Sequence, residues 1–374
     1  MSRSSPSPLL VAALASFTFM LGLGAAVPNV SLLVRELGGS DVEAGLGVSA
    51  WGLTYVLFSV PAGVLADRYG ARKLASIGMA LNAAIALLLY SSTSVGQVVA
   101  ARLAQGAFEA LIWSSIFGMV AKAYPTSRVR ALGLLSSSLT LGFSIGPSLG
   151  SAIAAALGVR YAFIPYAASS AASSALVYLL APPIRGGEKL EFKGLREKVS
   201  PIILPALALG ASFGSLESSL QSHYPLIAPQ YGVPLSLAGA LISTYYLSML
   251  ASQASLRYTS PLVEKRIFPP ASFATALLAA AAVSWLKGWP APLFALAALL
   301  GATVGANAVR VQSSLAKRLS PHESTAMGVY CASWGFGYLV GAPLAAVAME
   351  ALKTGPLTLL SALLAACTLL SLAV

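Results

Sequence analysis

The chain alternates between long apolar stretches and short polar ones. Each apolar stretch is roughly 20 to 30 residues long, enough for an α-helix to cross the hydrocarbon core of a bilayer. The strict alternation of apolar and polar residues that a transmembrane β-barrel needs does not occur. The pattern therefore predicts twelve transmembrane helices, at approximately 9–29, 42–65, 73–92, 95–121, 129–157, 161–181, 201–224, 234–256, 267–286, 290–315, 324–350 and 355–374.

Three of the predicted helices begin with a capping box, in which a serine and a glutamate or glutamine three residues later bond each other's backbone N–H. The pairs are Ser40 and Glu43, Ser94 and Gln97, and Ser320 and Glu323. The last pair encloses Pro321, and proline suits the first position of a helix because its missing N–H leaves no donor unpaired. We therefore expect the eleventh helix to begin at Ser320.

The composition agrees with a chain buried in lipid. Hydrophobic residues make up 57% of the sequence and charged residues 9%, with a mean hydropathy of +0.79. A soluble domain has about 25% charged residues, and disordered chains are richer in charge still. Both of these classes are excluded, and the expected fold class is an all-α polytopic membrane protein.

The net charge of +11 would suit a nucleic-acid-binding protein, but the positions of the basic residues give another explanation. With a cytoplasmic N-terminus, 17 of the 23 lysines and arginines fall on the cytoplasmic side and 4 on the outer side. This asymmetry is the positive-inside pattern of membrane proteins. We therefore predict a multi-pass protein of the cell (plasma) membrane, with both termini cytoplasmic, the lipid bilayer as its surroundings and no nucleic-acid partner.

Residues 182–200 interrupt the pattern, since they hold eight of the 35 charged residues. They are predicted to form a cytoplasmic linker between two six-helix bundles, at 1–181 and 201–374. The two bundles look related, because Gly142 and Gly146 have counterparts at Gly337 and Gly341, 195 residues later. Such repeats are common in transporters. We expect the protein to be a monomer.

The connection between the second and third helices holds an unusual combination of glycines and charges: Gly63, Asp67, Arg68, Gly70, Arg72 and Lys73. Gly63 allows close helix packing, and Gly70 allows a tight turn. Asp67 is expected to face the positive N-terminal end of the eleventh helix. Arg68 and Arg72 are then expected to pair with Glu323. The alternative is that these are ordinary cytoplasmic loop charges.

The fifth helix contains Gly142, Gly146, Pro147 and Gly150. Pro147 removes a backbone hydrogen bond and is expected to bend the helix. Glycines four residues apart allow another helix to come close. This arrangement either serves a conformational change or is a general packing surface of small residues.

Three motifs together resemble the major facilitator superfamily of transporters. The 63–73 loop is similar to its G-x-L-A-D-R-x-G-R-K signature, and Arg102-Leu-Ala-Gln105-Gly106 to its R-x-x-Q-G element. The fifth-helix glycines resemble the G-x-x-x-G-P-x-x-G-G element of the family's proton antiporters, although Ser151 replaces the final glycine. The resemblance implies two pseudo-symmetric six-helix bundles, transport by alternating access, and export as the direction.

Ionisable and polar groups inside transmembrane helices are costly, so each is a candidate for function. Arg102 and Glu109 lie seven residues apart on one face of the fourth helix, and Glu217 lies in the seventh. A buried carboxyl is protonated near neutral pH without a partner and ionised beside an arginine, so either glutamate is a candidate proton carrier. In the resembling family such helices line a central cavity. The candidate coupling and cavity residues are Arg102, Glu109, Trp113, Glu217, Gln221, Asn307, Tyr330 and Trp334.

These features favour proton-coupled efflux, by antiport, of a small amphipathic compound. The alternatives are uptake of a metabolite by symport or by facilitated diffusion, and a transport-inactive receptor. An enzyme is not expected, because the two histidines, His223 and His322, offer no clustered catalytic or metal-binding set. No phosphate-binding loop for ATP occurs. The only driving force expected is a gradient of protons or other ions, with no cofactor and no metal.

The topology is testable by labelling. In a background with Cys331 and Cys367 replaced by serine, single cysteines at Lys189 and Lys353 should react with a membrane-impermeant maleimide from opposite sides, because the linker is cytoplasmic and the last connection lies outside. The measurement compares right-side-out with inverted vesicles. Labelling of both positions from one side would contradict the predicted orientation.

Overall fold

The computed structural model describes residues 7–183, 203–227, 235–258, 270–283, 290–352, 361 and 364–366. These residues form long α-helices and contain no β-strand. Short 3-10 turns at Val159–Ala162 and Leu256–Tyr258 adjoin two of the helices. The helices are α1 (Pro8–Glu36), α2 (Asp41–Tyr69), α3 (Ala71–Ser91), α4 (Val95–Ala123), α5 (Arg128–Leu157), α6 (Phe163–Leu180), α7 (Ile203–Ile227), α8 (Leu235–Ser255), α9 (Pro270–Val283), α10 (Pro290–Arg318) and α11 (Glu323–Leu352).

These helices match the first eleven apolar segments in order. Their ends lie within about four residues of the predicted ones, except that α1 continues to Glu36 and not to residue 29. Seven of them contain stretches long and apolar enough to cross a membrane. The predicted twelfth helix at 355–374 lies largely outside the described residues, as does the predicted linker at 182–200. An all-α membrane fold is therefore the architecture of the chain, as the hydropathy pattern predicts.

Two of the three predicted capping boxes cap a helix. Ser40 caps α2, with its backbone N–H donating to Glu43 at 2.8 Å. Ser94 caps α4 by accepting from the backbone of Gln97. The third prediction is wrong, since α11 begins at Glu323 and not at Ser320.

Contacts divide the chain into two compact units. The first comprises residues 1–191 with 316–332, and the second comprises 192–315 with 333–374. The segment 316–332 groups with the first unit because the beginning of α11 packs closely on α2 and α4. A side chain at Gly63 or Gly118 would collide with Ser324. The division at the 182–200 linker stays a prediction.

Each unit contains the same glycine-mediated crossing of two helices. In the first unit, Gly142, Gly146 and Gly150 of α5 lie against the backbone of α1, and Cβ atoms there would clash with it. In the second unit, Gly337 and Gly341 of α11 lie in the same way against α7. The 195-residue repeat seen in the sequence is thus also a repeat of packing, and these glycines are needed where two helix backbones meet.

The α1–α5 crossing predicts a stability effect. A Cβ at Gly146 would lie 2.6 Å from the carbonyl oxygen of Leu21 and 2.7 Å from Cα of Gly24, so Gly146→Ala forces two backbones apart. Overpacking of this kind costs about 1–3 kcal/mol, and the thermal unfolding temperature in detergent should fall by several degrees. Gly96→Ala is the matched control, because a Cβ there meets no atom within 4 Å. Equal unfolding temperatures for the two variants would contradict this account.

Candidate functional site

A chain of buried polar side chains runs along α4 in the first unit. Arg102, Gln105 and Glu109 are 4%, 1% and 2% exposed, and they follow one another at helical spacing on one face. Arg102 Nη1 donates to Gln105 Oε1 at 2.6 Å, and Gln105 Nε2 donates to Glu109 Oε1 at 2.8 Å. Sequence reasoning placed the arginine and the glutamate on one face, and the structure adds Gln105 as the bridge between them. The R-x-x-Q-G element was the signal for it.

The same network extends into α6 and α3. Gln105 Nε2 also donates to the Tyr166 hydroxyl at 2.9 Å, and that hydroxyl donates to Asn82 Oδ1 at 2.7 Å. Asn82 Nδ2 donates to the carbonyl oxygen of Gly78 at 2.8 Å. Sequence reasoning missed both Tyr166 and Asn82. A buried amide is costly in an apolar helix, so Asn82 carried a signal that could have identified it.

Aromatic rings from α1 and α4 close around this network. The Trp113 ring lies 5.7 Å from that of Phe19 and 6.3 Å from that of Phe117. Phe19 also meets the ring of Tyr166 at 5.9 Å. Trp113 therefore packs its ring among these aromatic groups, and its side chain also hydrogen-bonds Glu109. In such surroundings an unmade hydrogen bond is expensive.

A second polar cluster lies where α2 ends and α11 begins. Asp67, only 5% exposed, accepts hydrogen bonds from the backbone N–H groups of Ser324 at 3.1 Å and Thr325 at 2.7 Å, and from the Thr325 hydroxyl at 2.6 Å. The expected contact between Asp67 and the positive end of the eleventh helix is present. The carboxylate caps α11 from another helix, and this explains why Ser320 is not the cap.

Glu323 pairs with Arg128, at 3.0 Å, and also accepts from the Ser320 hydroxyl at 2.8 Å. The expectation that Arg68 and Arg72 pair with Glu323 is wrong. Arg128 begins α5 directly beside the end of α4, where its Nε donates to the Ala121 carbonyl at 3.0 Å, and from there it reaches the carboxylate.

The remaining charges of the 63–73 loop point elsewhere. Arg72 donates to the Ala181 carbonyl at 3.0 Å and lies over the ring of Tyr178, so it joins α3 to the end of α6. The guanidinium of Arg68 lies over the ring of the adjacent Tyr69. Lys73 is exposed. Gly70 makes the predicted tight turn with a φ of 95°, a conformation that favours glycine.

The second unit holds its own carboxyl group inside a helix, at the partly buried Glu217. Its Oε1 accepts from the Tyr246 hydroxyl at 2.8 Å, and its Oε2 accepts from Trp334 Nε1 at 3.0 Å. The Trp334 ring in turn lies 5.2 Å from that of Tyr338. Glycine at position 214 allows this approach, because a side chain there would collide with the Trp334 carbonyl. Both donors to Glu217 are uncharged.

The other predicted cavity residues are dispersed. Asn307 is buried in α10 and donates to the Thr303 carbonyl of its own helix at 2.9 Å. Tyr330 belongs to the first unit and Trp334 to the second, so these two candidates of α11 are divided between the units. The Gln221 side chain lies outside the described residues. Over the segments that the structure describes, no group of three or more potential ligands could hold a metal ion.

Ionisable groups inside membrane-spanning helices mark substrate or ion pathways in membrane proteins, and the comparisons with known proteins agree with such a role. The chain belongs to the Major Facilitator Superfamily, whose family model matches residues 12–288. Members of this family are transporters and not enzymes. The chain is therefore a multi-pass membrane protein of a transporter family, surrounded by lipid.

Three curated relatives illustrate the sequence similarity. The chain is 25% identical over 252 residues (64% of this chain) to the uncharacterised MFS-type transporter MJ1560 of Methanocaldococcus jannaschii. It is 26% identical over 190 residues (50% of this chain) to multidrug resistance protein 1 of Bacillus subtilis. It is 24% identical over 135 residues (36% of this chain) to the quinolone resistance protein NorA of Staphylococcus aureus. The matched regions span 65%, 49% and 35% of these relatives.

Two solved structures share the fold. The human organic anion transporter MFSD10 (TETRAN) aligns with a TM-score of 0.80 and 19% identity over 98% of this chain and 100% of that one. The E. coli fucose:proton symporter FucP aligns with a TM-score of 0.76 and 15% identity, over 97% of each chain. These likenesses establish the fold.

The Asp67 cap predicts a change at the α2–α11 junction. Asp67→Asn removes the negative charge at the N-terminus of α11, a contribution of about 0.3–1 kcal/mol, larger when partly buried. Spin labels at the exposed positions Tyr69 and Arg318 should then show a larger population of long distances, up to about fivefold more. Glu36→Gln, in the exposed pair with Arg160, is the control. An unchanged distance distribution in Asp67→Asn would contradict a contribution of its negative charge to the closure of this junction.

Proposed function

We propose that the chain is a proton-coupled exporter, an antiporter, of small amphipathic compounds that works by alternating access. The observation that carries the proposal is Glu109, a carboxyl group buried inside α4 with the charge of Arg102 acting on it. An ionisable residue at such a position is costly in a membrane protein and is retained for function. Two relatives named for drug resistance support export as the direction.

Glu109 has the surroundings that a proton carrier needs. Gln105 bridges it to Arg102, so the ionised carboxylate has both a hydrogen-bond donor and a nearby positive charge. When Arg102 moves to another partner, the charged form of Glu109 loses support and proton uptake becomes favourable. Competition between a proton and the arginine for one carboxylate gives a direct means of coupling.

Glu217 has different surroundings and a different proposed role. Its two oxygens accept from uncharged donors, a tyrosine hydroxyl and an indole N–H. Together with the aromatic rings of Trp334 and Tyr338, it offers a carboxylate in an apolar wall. We assign to this cluster the binding of the polar part of an amphipathic substrate, with Glu109 as the proton site.

The junction at Asp67 is proposed to hold the cytoplasmic end of the protein closed in one state of the cycle. The bonds of Asp67 to α11 and the Arg128–Glu323 pair join the beginning of α11 to α2 and to α5. Both are made of charged groups at helix ends and are free to break and form again without unfolding a helix. The cytoplasmic location of this end rests on the distribution of basic residues.

Uptake by proton symport is the second candidate. It is favoured by the absence of any acidic residue from α1 before Glu36 at its end, because the resembling exporters often carry an acid in that helix. The direction of the driving gradient separates the two candidates. An antiporter moves substrate into the compartment with the higher proton concentration, whereas a symporter moves it out of that compartment.

The test uses purified protein in liposomes with an imposed pH gradient, and norfloxacin and ethidium as fluorescent amphipathic probes. With an acidic lumen, antiport predicts accumulation of probe inside, and collapse of the gradient should abolish it. Accumulation only with an acidic exterior would establish symport. Equilibration insensitive to the gradient would establish a uniporter. Absence of flux for both probes and for a wider set of amphipathic compounds would favour the receptor alternative.

Glu109→Gln gives a sharper prediction about coupling. The substitution keeps the size of the side chain and one acceptor oxygen but cannot release a proton, so gradient-driven flux should fall at least tenfold while downhill probe exchange persists. Glu217→Gln should mainly weaken probe binding. Glu43→Gln, at the exposed capping box of α2, is the matched control and should be unchanged. Full gradient-driven flux in Glu109→Gln, in Glu217→Gln and in their double variant would show that the carboxyl groups are structural.

A further inference from the structure

We propose that Asn82 and Tyr166 are positioning residues for Glu109, which act through Gln105 and set the pH at which Glu109 exchanges its proton. The inference rests on the proposed role of Glu109 and extends it to two helices, α3 and α6, outside the R-x-x-Q-G motif. Neither residue touches Glu109. Their influence depends on the direction in which each hydrogen bond of the network is donated.

One end of the network is fixed by Arg102. A guanidinium group only donates hydrogen bonds, so the Gln105 atom facing it, at 2.6 Å, must be the carbonyl oxygen Oε1. The Gln105 NH₂ group is then turned toward Glu109 and Tyr166. Its two hydrogens supply one bond to each of them, at 2.8 Å and 2.9 Å.

The other end is fixed independently by a backbone carbonyl group. The Gly78 carbonyl only accepts, so the Asn82 atom facing it must be Nδ2, at 2.8 Å, and Asn82 Oδ1 is left facing Tyr166. The Tyr166 hydroxyl must therefore donate to Asn82, at 2.7 Å, and its oxygen is left to accept from Gln105. Both ends require the same orientation of Gln105, with an N–H on Glu109.

The packing of α3 brings the second end into reach. A Cβ at Gly78 would lie 2.8 Å from the Phe108 carbonyl and 2.8 Å from the Ile112 side chain, so glycine allows α3 to lie directly against α4. Asn82 follows one turn later and is completely buried, as is Tyr166. With no solvent at these side chains, a lost bond is not replaced by water.

Few other groups near Glu109 could change the pH at which it exchanges its proton. Arg102 of its own helix, Tyr55 of α2 and Tyr166 of α6 are the titratable or charged groups that act on it electrostatically. Trp113 of α4 also hydrogen-bonds Glu109, but it does not titrate and is unaltered in every variant below. From α1 and α3 the neighbours of the network are Phe19 and Asn82, which do not titrate. When Arg102 leaves Gln105 during the cycle, the Tyr166–Asn82 branch still holds the amide in place.

The consequence concerns the protonation of Glu109. A donor held on a carboxylate stabilises its ionised form. Without the Tyr166 hydroxyl, one Gln105 N–H is left without an acceptor in an apolar setting, and the amide is no longer held against Glu109. The ionised form then loses support, and Glu109 takes up its proton at a higher pH.

The experiment is an infrared pH titration of the purified protein in lipid, which needs no substrate. The C=O band of protonated Glu109 is identified as the band that disappears in Glu109→Gln. In Tyr166→Phe, which keeps the ring, its midpoint should move to higher pH by about half to one unit. Asn82→Leu should shift it in the same direction by less, because the Tyr166 hydroxyl remains. The double variant should match Tyr166→Phe alone, because Asn82 acts only through that hydroxyl.

Tyr161→Phe, at an exposed tyrosine just before α6, is the control and should leave the midpoint unchanged. Unfolding temperatures of all variants separate positioning from stability, since a merely structural role would lower them without moving the midpoint. A midpoint in Tyr166→Phe equal to that of the unaltered protein, or a Glu109 band that does not titrate, would overturn the proposal. Gradient-driven flux tests the exporter assignment separately, so a shifted band with no flux would reject export alone.

Discussion

Water is scarce inside a bundle of membrane helices, so every polar group there must find its partner within the protein. This constraint explains the features on which the transporter depends. Asp67 accepts hydrogen bonds from the N-terminal amides of α11, and Glu217 accepts from a hydroxyl and an indole. Glu109 accepts from Gln105. Each such bond holds two helices, or two turns of one helix, in a fixed relative position. The hydrophobic effect alone would not do this, because it is weak between helices in lipid.

Glycines at the helix crossings allow the close packing on which these hydrogen bonds depend. Where α5 crosses α1 and α11 crosses α7, glycines let the backbones meet, and van der Waals contact replaces the missing hydrophobic drive. Gly78 does the same for α3 and α4 and thereby brings Asn82 to Tyr166. Close backbone packing and polar bonding are therefore linked, because the short distances that the glycines allow are what let buried side chains reach one another.

Glu109 and Glu217 carry the same carboxyl group, but their surroundings differ. Glu109 lies in a directional chain of donors that begins at a cation, whereas Glu217 accepts from two uncharged groups. A proton site needs a positively charged partner, because the departure of that charge favours protonation of the carboxylate. A binding site needs carboxylate oxygens that can exchange their hydrogen bonds to the protein for hydrogen bonds to a ligand. The proposed assignment of coupling to α4 and of substrate binding to α7 rests on that difference.

The sequence by itself determined the helices, the family motifs and the faces on which Arg102 and Glu109 lie, because hydropathy and helical periodicity are local properties of a chain. It also indicated that Asp67 would meet the beginning of α11, since the opposite charges of a carboxylate and a helix end predict it. Only the tertiary structure decided that Arg128 pairs with Glu323 and that α11 begins at Glu323. The same holds for the bond between Gln105 and Tyr166 and the bond between Tyr166 and Asn82. The partners in these hydrogen bonds lie 61 to 195 residues apart in the sequence. No local pattern specifies which distant side chain fills a given position at a helix crossing.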